Sequence, residues 1–190
     1  LNRRNRKTID IYKLARPNIR SLAPYSTARD ECKAQIGSFL DANENPMNNG
    51  YNRYPDPRQL QLKGLISTLK GIPLKNIFIG NGSDEAIDLC FRVFCRPDVD
   101  NAVSIAPTYG MYKVAADIND IQMREVPLRE GFELPVDGLL AACDEQTKLM
   151  FICSPNNPTG NAFPVAQILT LAERFDGMLV VDEAYIDFSS

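Results

Sequence analysis

Residues 149–160 read LMFICSPNNPTG. Five apolar residues, Leu149 to Cys153, run without a break, and the chain then turns polar and turn-forming within one step. A strand with one wet face would alternate, so a short unbroken run reads as a strand buried on both faces. The same phrase recurs along the chain. Residues 178–185, MLVVDEAY, end an apolar run on Asp182. Residues 102–109, AVSIAPTY, end one on Pro107 and Tyr109, and residues 76–84, NIFIGNGSD, end one on two glycines. Helical spacing fills the intervals, over 80–95 with Ser83 or Asp84 as the predicted cap, and over 109–118, 136–143 and 164–175. Gln122–Val126 reads as a further strand. Upstream, residues 59–70 space five apolar side chains as a helix does, and Gly71 with Pro73 stops it. Strands alternating with helices predict an α/β fold: a mostly parallel sheet with helices on both faces.

Composition narrows the chemistry. The 190 residues are 44% apolar and 24% charged, ordinary for a globular chain, and none is histidine. That excludes Ser-His-Asp and Cys-His catalysis and histidine-ligated metal sites, and no metal is expected. A net charge of −3 gives no bulk attraction to nucleic acid or to an anionic membrane. No apolar run approaches the ~18 residues of a membrane span. The five cysteines (32, 90, 95, 143 and 153) are odd in number and form no CxxC, which suits free thiols in a reducing cytoplasm. The first twenty residues carry seven basic side chains (Arg3, Arg4, Arg6, Lys7, Lys13, Arg16, Arg20) against Asp10. A solvated or dimer-wrapping arm explains them better than a presequence or a nucleic-acid arm.

In a parallel sheet the ligand lies at the carboxyl ends of the strands, so the residues that follow each apolar run form one set. In Gly80-Asn81-Gly82-Ser83-Asp84, free N–H groups at a helix start favour an anion, most often phosphate. The pattern is neither GxGxxG nor GxxxxGK[ST], and an ordinary capped turn would also fit it. Asp182, at the mouth of a buried strand, needs a protonated ring nitrogen, a metal or an arginine, or else serves as a helix cap or structural ion pair. Tyr185 lies three residues on and could reach the same ligand, or anchor the loop. In PNNPTG, the Ser154–Pro155 and Asn157–Pro158 bonds are candidates for cis, in a turn that would aim the Asn157 amide. Tyr109 could lay its ring on an aromatic ligand. Phosphate-binding amides, a stacking ring, an amide donor, a carboxylate and a phenol together match the functional groups of pyridoxal 5′-phosphate.

The segments RPNIRSLAPYSTARDE, LDANENP, NRYPDP, GNGSDEAIDL, PTYGMY, CSPNNPTG and VDEAYIDF, from Arg16 to the end of the chain, resemble the histidinol-phosphate aminotransferase family of fold-type-I pyridoxal-phosphate enzymes. The resemblance implies that Asp182 pairs with the ring nitrogen, and that Asn157 and Tyr185 hydrogen-bond the phenolic oxygen. It also implies that Tyr109 stacks on the ring and that the backbone at Gly82, Ser83 and Asp84 holds the phosphate. Tyr54 would reach the phosphate of a neighbouring subunit's cofactor, making the enzyme a homodimer. Tyr25 and Asn43 would line the substrate pocket. The loop from Asn45 to Tyr54 is shorter than in many members, which leaves the pocket shape open there.

By the same resemblance, residues 1–50 are an N-terminal arm and substrate-side segment, and residues 51–190 belong to the large cofactor-binding domain. The lysine that carries the cofactor, the substrate-binding arginines and the small domain are expected beyond Ser190; no lysine from Lys7 to Lys148 matches that lysine's position. The expected reaction exchanges an amino group between histidinol phosphate and 2-oxoglutarate, in cytoplasmic histidine biosynthesis. The alternatives are a related aromatic aminotransferase, a decarboxylase of a phosphorylated amino acid, or a fragment without catalytic activity.

Overall fold

The computed structural model describes residues 10–26 and 42–189, in two units: 10–21 with 80–189, and 22–26 with 42–79. The first unit is built on four strands: β1 (Asn101–Ala106), β2 (Gln122–Pro127), β3 (Thr147–Cys153) and β4 (Met178–Asp182). All pair in parallel, in the order β2-β1-β3-β4. Ile11–Leu14 (α1) and Pro17–Arg20 (α2) are single turns; the Arg16 N–H between them donates to Val93 O at 2.9 Å. Gly82–Phe94 (α4) precedes β1, Met111–Ile118 (α5) joins β1 to β2, Val136–Ala141 (α6) joins β2 to β3, and Val165–Arg174 (α7) joins β3 to β4. The second unit holds Leu60–Lys70 (α3) and a 3₁₀ turn, Leu74–Asn76. Arg3, Arg4, Arg6, Lys7, Cys32 and Lys33 lie outside the described residues.

From β1 the chain moves to β2 on one side, then passes back beyond β1 to β3 and β4 on the other. Crossovers of one hand that run in opposite directions place their helices on opposite faces. The core divides accordingly. Ile87 and Phe91 of α4 and Tyr112, Ala115 and Ala116 of α5 pack on Leu149, Phe151 and Cys153. Leu139 of α6 and Leu171 of α7, with Phe163 and Phe175, pack on Val103, Ile105, Met150 and Ile152. Alternate residues of β3 thus serve alternate layers, as the two-residue period of a strand requires. Both layers being apolar is why the run in β3 does not alternate in the sequence.

The expected fold is found, with two local corrections. Residues 76–79 form no strand: Ile77 is extended (φ −108°, ψ 122°) but has no ladder partner among the described residues. An extended segment without a partner forms no ladder. The helix expected to be capped by Ser83 or Asp84 instead begins at Gly82 with Asn81 before it, and no side chain caps it. The Glu85 carboxylate reaches back to the Asn81 N–H, which fixes the start earlier. The other boundaries shift by at most two residues, as element ends do.

Phe151 lies at the centre of the α4–α5 layer, fully buried. Its ring centroid is 5.3 Å from that of Phe91 and 4.9 Å from that of Tyr112. Phe151→Ala is expected to lower unfolding free energy by about 3–5 kcal/mol, the cost of a large ring removed from a close-packed core, measured by urea denaturation. A loss under about 1 kcal/mol would mean this layer is not packed as described.

Candidate functional site

The carboxyl ends of the strands converge on a cleft of about 240 Å³ in the first unit. The start of α4 forms one wall, with Gly82, Ser83 and Asp84. Tyr109 follows β1, Cys153 and Asn157 follow from β3, and Asp182 and Tyr185 come from the end of β4. Seven of the sequence-predicted residues therefore meet here: Gly82, Ser83, Asp84, Tyr109, Asn157, Asp182 and Tyr185. Gly82 takes φ +76°, a left-handed conformation that costs glycine little. With no side chain capping α4, its leading N–H groups are available to an anion.

Asp182 is fixed by ladder and loop together. Its carbonyl accepts the Ser154 N–H at 2.9 Å, which carries the β3–β4 pairing one step past the strand. Its Oδ1 accepts the Ala184 N–H at 3.0 Å. Its Oδ2 accepts the Tyr112 hydroxyl at 2.7 Å. Tyr109 donates its hydroxyl to Asp84 Oδ1 at 3.0 Å and sets its ring edge-on to Tyr112, at 5.7 Å and 86°. The Asp84 carboxylate raises the Tyr109 phenol above its ordinary pKa, and slight burial adds to this. Tyr185 is about half exposed at the rim.

The loop after β3 is built on Asn156, the neighbour of the Asn157 expected to face the ligand. Asn156 is 2% exposed. Its Nδ2 donates to Pro107 O at 3.0 Å and to Thr159 Oγ1 at 2.8 Å, and its Oδ1 accepts from Thr108 Oγ1 at 2.8 Å. Its backbone closes the turn on Asn161 and Gly160. None of these bonds uses the Asn157 amide, which stands half-buried in the cleft wall. The Ser154–Pro155 and Asn157–Pro158 bonds are both cis, as is Ala106–Pro107, which the sequence reading did not single out. Two adjacent asparagines thus divide the work, one closing the loop and one facing the cleft. Nothing in the letters NN assigns the roles.

Tyr54, Asn43 and Tyr25 belong to the second unit. Tyr54 donates its hydroxyl to Asn43 O at 3.3 Å and its N–H to Glu44 Oε1 at 2.9 Å. Asn52 Nδ2 donates to Asn45 O at 3.0 Å, so the asparagine-rich segment is closed by its own side chains. Tyr25 is 89% exposed.

A larger concavity in the first unit, about 690 Å³, opens at the opposite, amino edge of the sheet. Its polar side chains bond one another: Arg124 pairs with Asp144 at 2.6 Å, Asn101 Nδ2 donates to Asp144 Oδ1 at 2.9 Å, and Thr147 Oγ1 donates to Asn101 Oδ1 at 2.7 Å. This network ties the starts of β1, β2 and β3 together; the carboxyl-edge cleft, where the sequence-predicted residues meet, is the candidate site. Among the described residues there is no cluster of His, Cys, Asp and Glu that could hold a metal. No described helix is long and apolar enough to cross a membrane. The four described cysteines are free thiols, and burial pushes that of Cys95 up to about 12.

A family profile described as aminotransferase class I and II matches residues 24–190. The histidinol-phosphate aminotransferase of Bacteroides thetaiotaomicron is 56% identical over 180 residues, 94% of this chain and 52% of that protein. That of Parabacteroides distasonis is 52% identical over 181 residues, 95% of this chain and 52% of that protein. The chain spans about half the length of the curated relatives it matches. Among solved structures, histidinol-phosphate aminotransferase from Sinorhizobium meliloti in complex with pyridoxal-5′-phosphate aligns with a TM-score of 0.67 at 25% identity, covering 73% of this chain and 38% of that one.

The two asparagines are separable by substitution. Asn156→Ala removes the bonds to Thr108, Thr159 and Pro107 O, leaving Thr159 only Asn161, and is expected to cost about 2–3 kcal/mol of stability. Asn157→Ala is expected to stay within about 0.5 kcal/mol, as a change outside the structural network does. Paired urea titrations check this, and the reverse order would refute the division of roles.

Proposed function

Because the chain belongs to the aminotransferase class I and II family, we propose that its carboxyl-edge cleft binds pyridoxal 5′-phosphate and serves a transaminase acting on histidinol phosphate. The observation that carries this reading is the meeting of Asp182 and the uncapped start of α4 in one cleft. One end suits a cation, the other a dianion, and polar donors lie between them. The donor set therefore fits the cofactor at both ends.

The N–H groups of Gly82, Ser83 and Asp84 bind the phosphate, assisted by the positive end of the α4 dipole. The Asp84 carboxylate, held by the Tyr109 hydroxyl, keeps its charge, so the backbone N–H groups bind the phosphate against that repulsion. Tyr109 offers an aromatic ring for the pyridine to lie against. The Asn157 amide and the Tyr185 hydroxyl donate to the phenolic oxygen. Asp182 holds a proton on the ring nitrogen. When bound, pyridoxal phosphate supplies an aldehyde that captures the substrate amine and a protonated ring that draws electrons from the bond being broken. By holding that proton, Asp182 would set the electron-withdrawing power of the ring.

The choice of histidinol phosphate as substrate rests on the relatives, which are named histidinol-phosphate aminotransferases. The amino group moves between histidinol phosphate and 2-oxoglutarate, in histidine biosynthesis and in the cytoplasm. The protein acts as a homodimer in which Tyr54 reaches the phosphate of the neighbouring subunit's cofactor. Tyr25 and Asn43 line the substrate pocket. Residues 1–50 form the arm and substrate-side segment, and residues 51–190 form part of the large domain.

In the enzyme at the full length of its relatives, histidinol phosphate should be transaminated in strong preference to phenylalanine and threonine phosphate, in a coupled glutamate assay. Asp182→Ala should lower kcat by more than about tenfold, ~1.4 kcal/mol, and activity within that limit would remove the assigned role. Tyr54→Phe should weaken cofactor retention by about 1.5–3 kcal/mol, the net contribution of a hydrogen bond to a charged group. Unchanged retention in an intact dimer would refute the contribution across the interface.

A further inference from the structure

Tyr112 is among the largest fully buried side chains of the first unit, 1% exposed, yet it carries a hydroxyl. A phenol in a core needs a hydrogen-bond partner, and this one reaches out of the core to find it at Asp182 Oδ2, 2.7 Å away. The ring cannot easily move. It stacks on Phe151 at 4.9 Å and 20°, Phe151 packs against Phe91 at 5.3 Å, and Tyr109 stands edge-on at 5.7 Å. Three aromatic side chains, from α4, β3 and β1's following turn, thus hold one hydroxyl at a fixed point.

That point matters because Asp182 is the last residue of β4 and only part-buried. Its Oδ1 has one donor, the Ala184 N–H, which lies in its own loop. A single local donor leaves the carboxylate free to swing about that bond. A second donor, arriving at Oδ2 from a rigid core on helix α5, fixes the carboxylate plane. Each oxygen still has lone-pair capacity, and the cleft lies on that side. Burial and the neighbouring carboxylate both push the Tyr112 phenol far above its ordinary range, so it remains a donor throughout the working pH range.

We propose that Tyr112 is a positioning residue: its hydroxyl orients Asp182 so that the carboxylate meets the ring nitrogen of pyridoxal phosphate. The inference rests on the reading of Asp182 given above. Tyr112 is not among the residues that line the cleft, and in this proposal it acts through Asp182. Its effect should therefore vanish when Asp182 is absent, which a purely structural role would not do.

The test is a double-mutant cycle on the apoenzyme at the full length of its relatives, reading the dissociation constant of added pyridoxal phosphate by spectroscopic titration. The four proteins are the parent, Tyr112→Phe, Asp182→Ala and the double variant. Tyr112→Phe keeps the ring stack and removes only the hydroxyl. It should weaken binding about tenfold when Asp182 is present, and by less than roughly twofold when Asp182 is alanine. Tyr109→Phe is the matched control: it too removes a hydroxyl that donates to a cleft carboxylate, and its effect should be the same in both backgrounds. Equal losses from Tyr112→Phe in both backgrounds would overturn the proposal. So would apoenzyme thermal midpoints that fall far enough to account for the lost affinity. If Asp182→Ala alone leaves both cofactor affinity and transamination unchanged, the role of Asp182 fails and the inference falls with it, a pattern distinct from equal losses.

Discussion

A parallel sheet delivers every strand's carboxyl end to the same edge, and β3 is the strand that imposes this here. It pairs with β1 on one side and β4 on the other, both in parallel. It is almost wholly buried and carries the side chains that both helix layers pack against. With β3 in place, the turns after β1, β3 and β4 have nowhere to go but toward one another. The cleft is a consequence of strand direction before it is a consequence of any polar residue. Polar residues then collect there because buried strands leave no room for them along their length.

Asp182 shows how local and long-range bonds combine. Its carbonyl belongs to the sheet, through the Ser154 N–H, while its carboxylate belongs to the cleft. The last step of the ladder therefore fixes the backbone that presents the charged group. The loop that faces it is held in the same manner: Asn156 closes the turn, and Asn157 stands in the cleft wall.

The sequence carried the sheet and most of the cleft plainly, because both follow from one-dimensional patterns. Unbroken apolar runs gave β1, β3 and β4, and the residues after them named Tyr109, Asn157, Asp182 and Tyr185. Three features were hidden, each for a physical reason. Residues 76–79 look like the other apolar runs, but a strand depends on a partner that composition does not specify. Tyr112 lies at helical spacing among Ala115 and Ala116 and reads as core, which its ring is. Only the distance to Asp182, seventy residues away, shows that its hydroxyl is not. Asn156 and Asn157 are the same letter in the same turn, and only the bonds separate them.

The alternation of β3 has a consequence for how this protein can drift. Leu149, Phe151 and Cys153 support the layer that contains Tyr112 and borders the cleft, while Met150 and Ile152 support the layer of α6 and α7. Neighbouring positions on one strand are therefore under different constraints. The far layer has only to fill its volume, which many apolar combinations can do. The near layer has also to keep a hydroxyl in register with a carboxylate. Sequence change should accumulate in step with the strand's two-residue period, tolerated at even positions and resisted at odd ones, so that one face of the sheet evolves as packing and the other as part of the site.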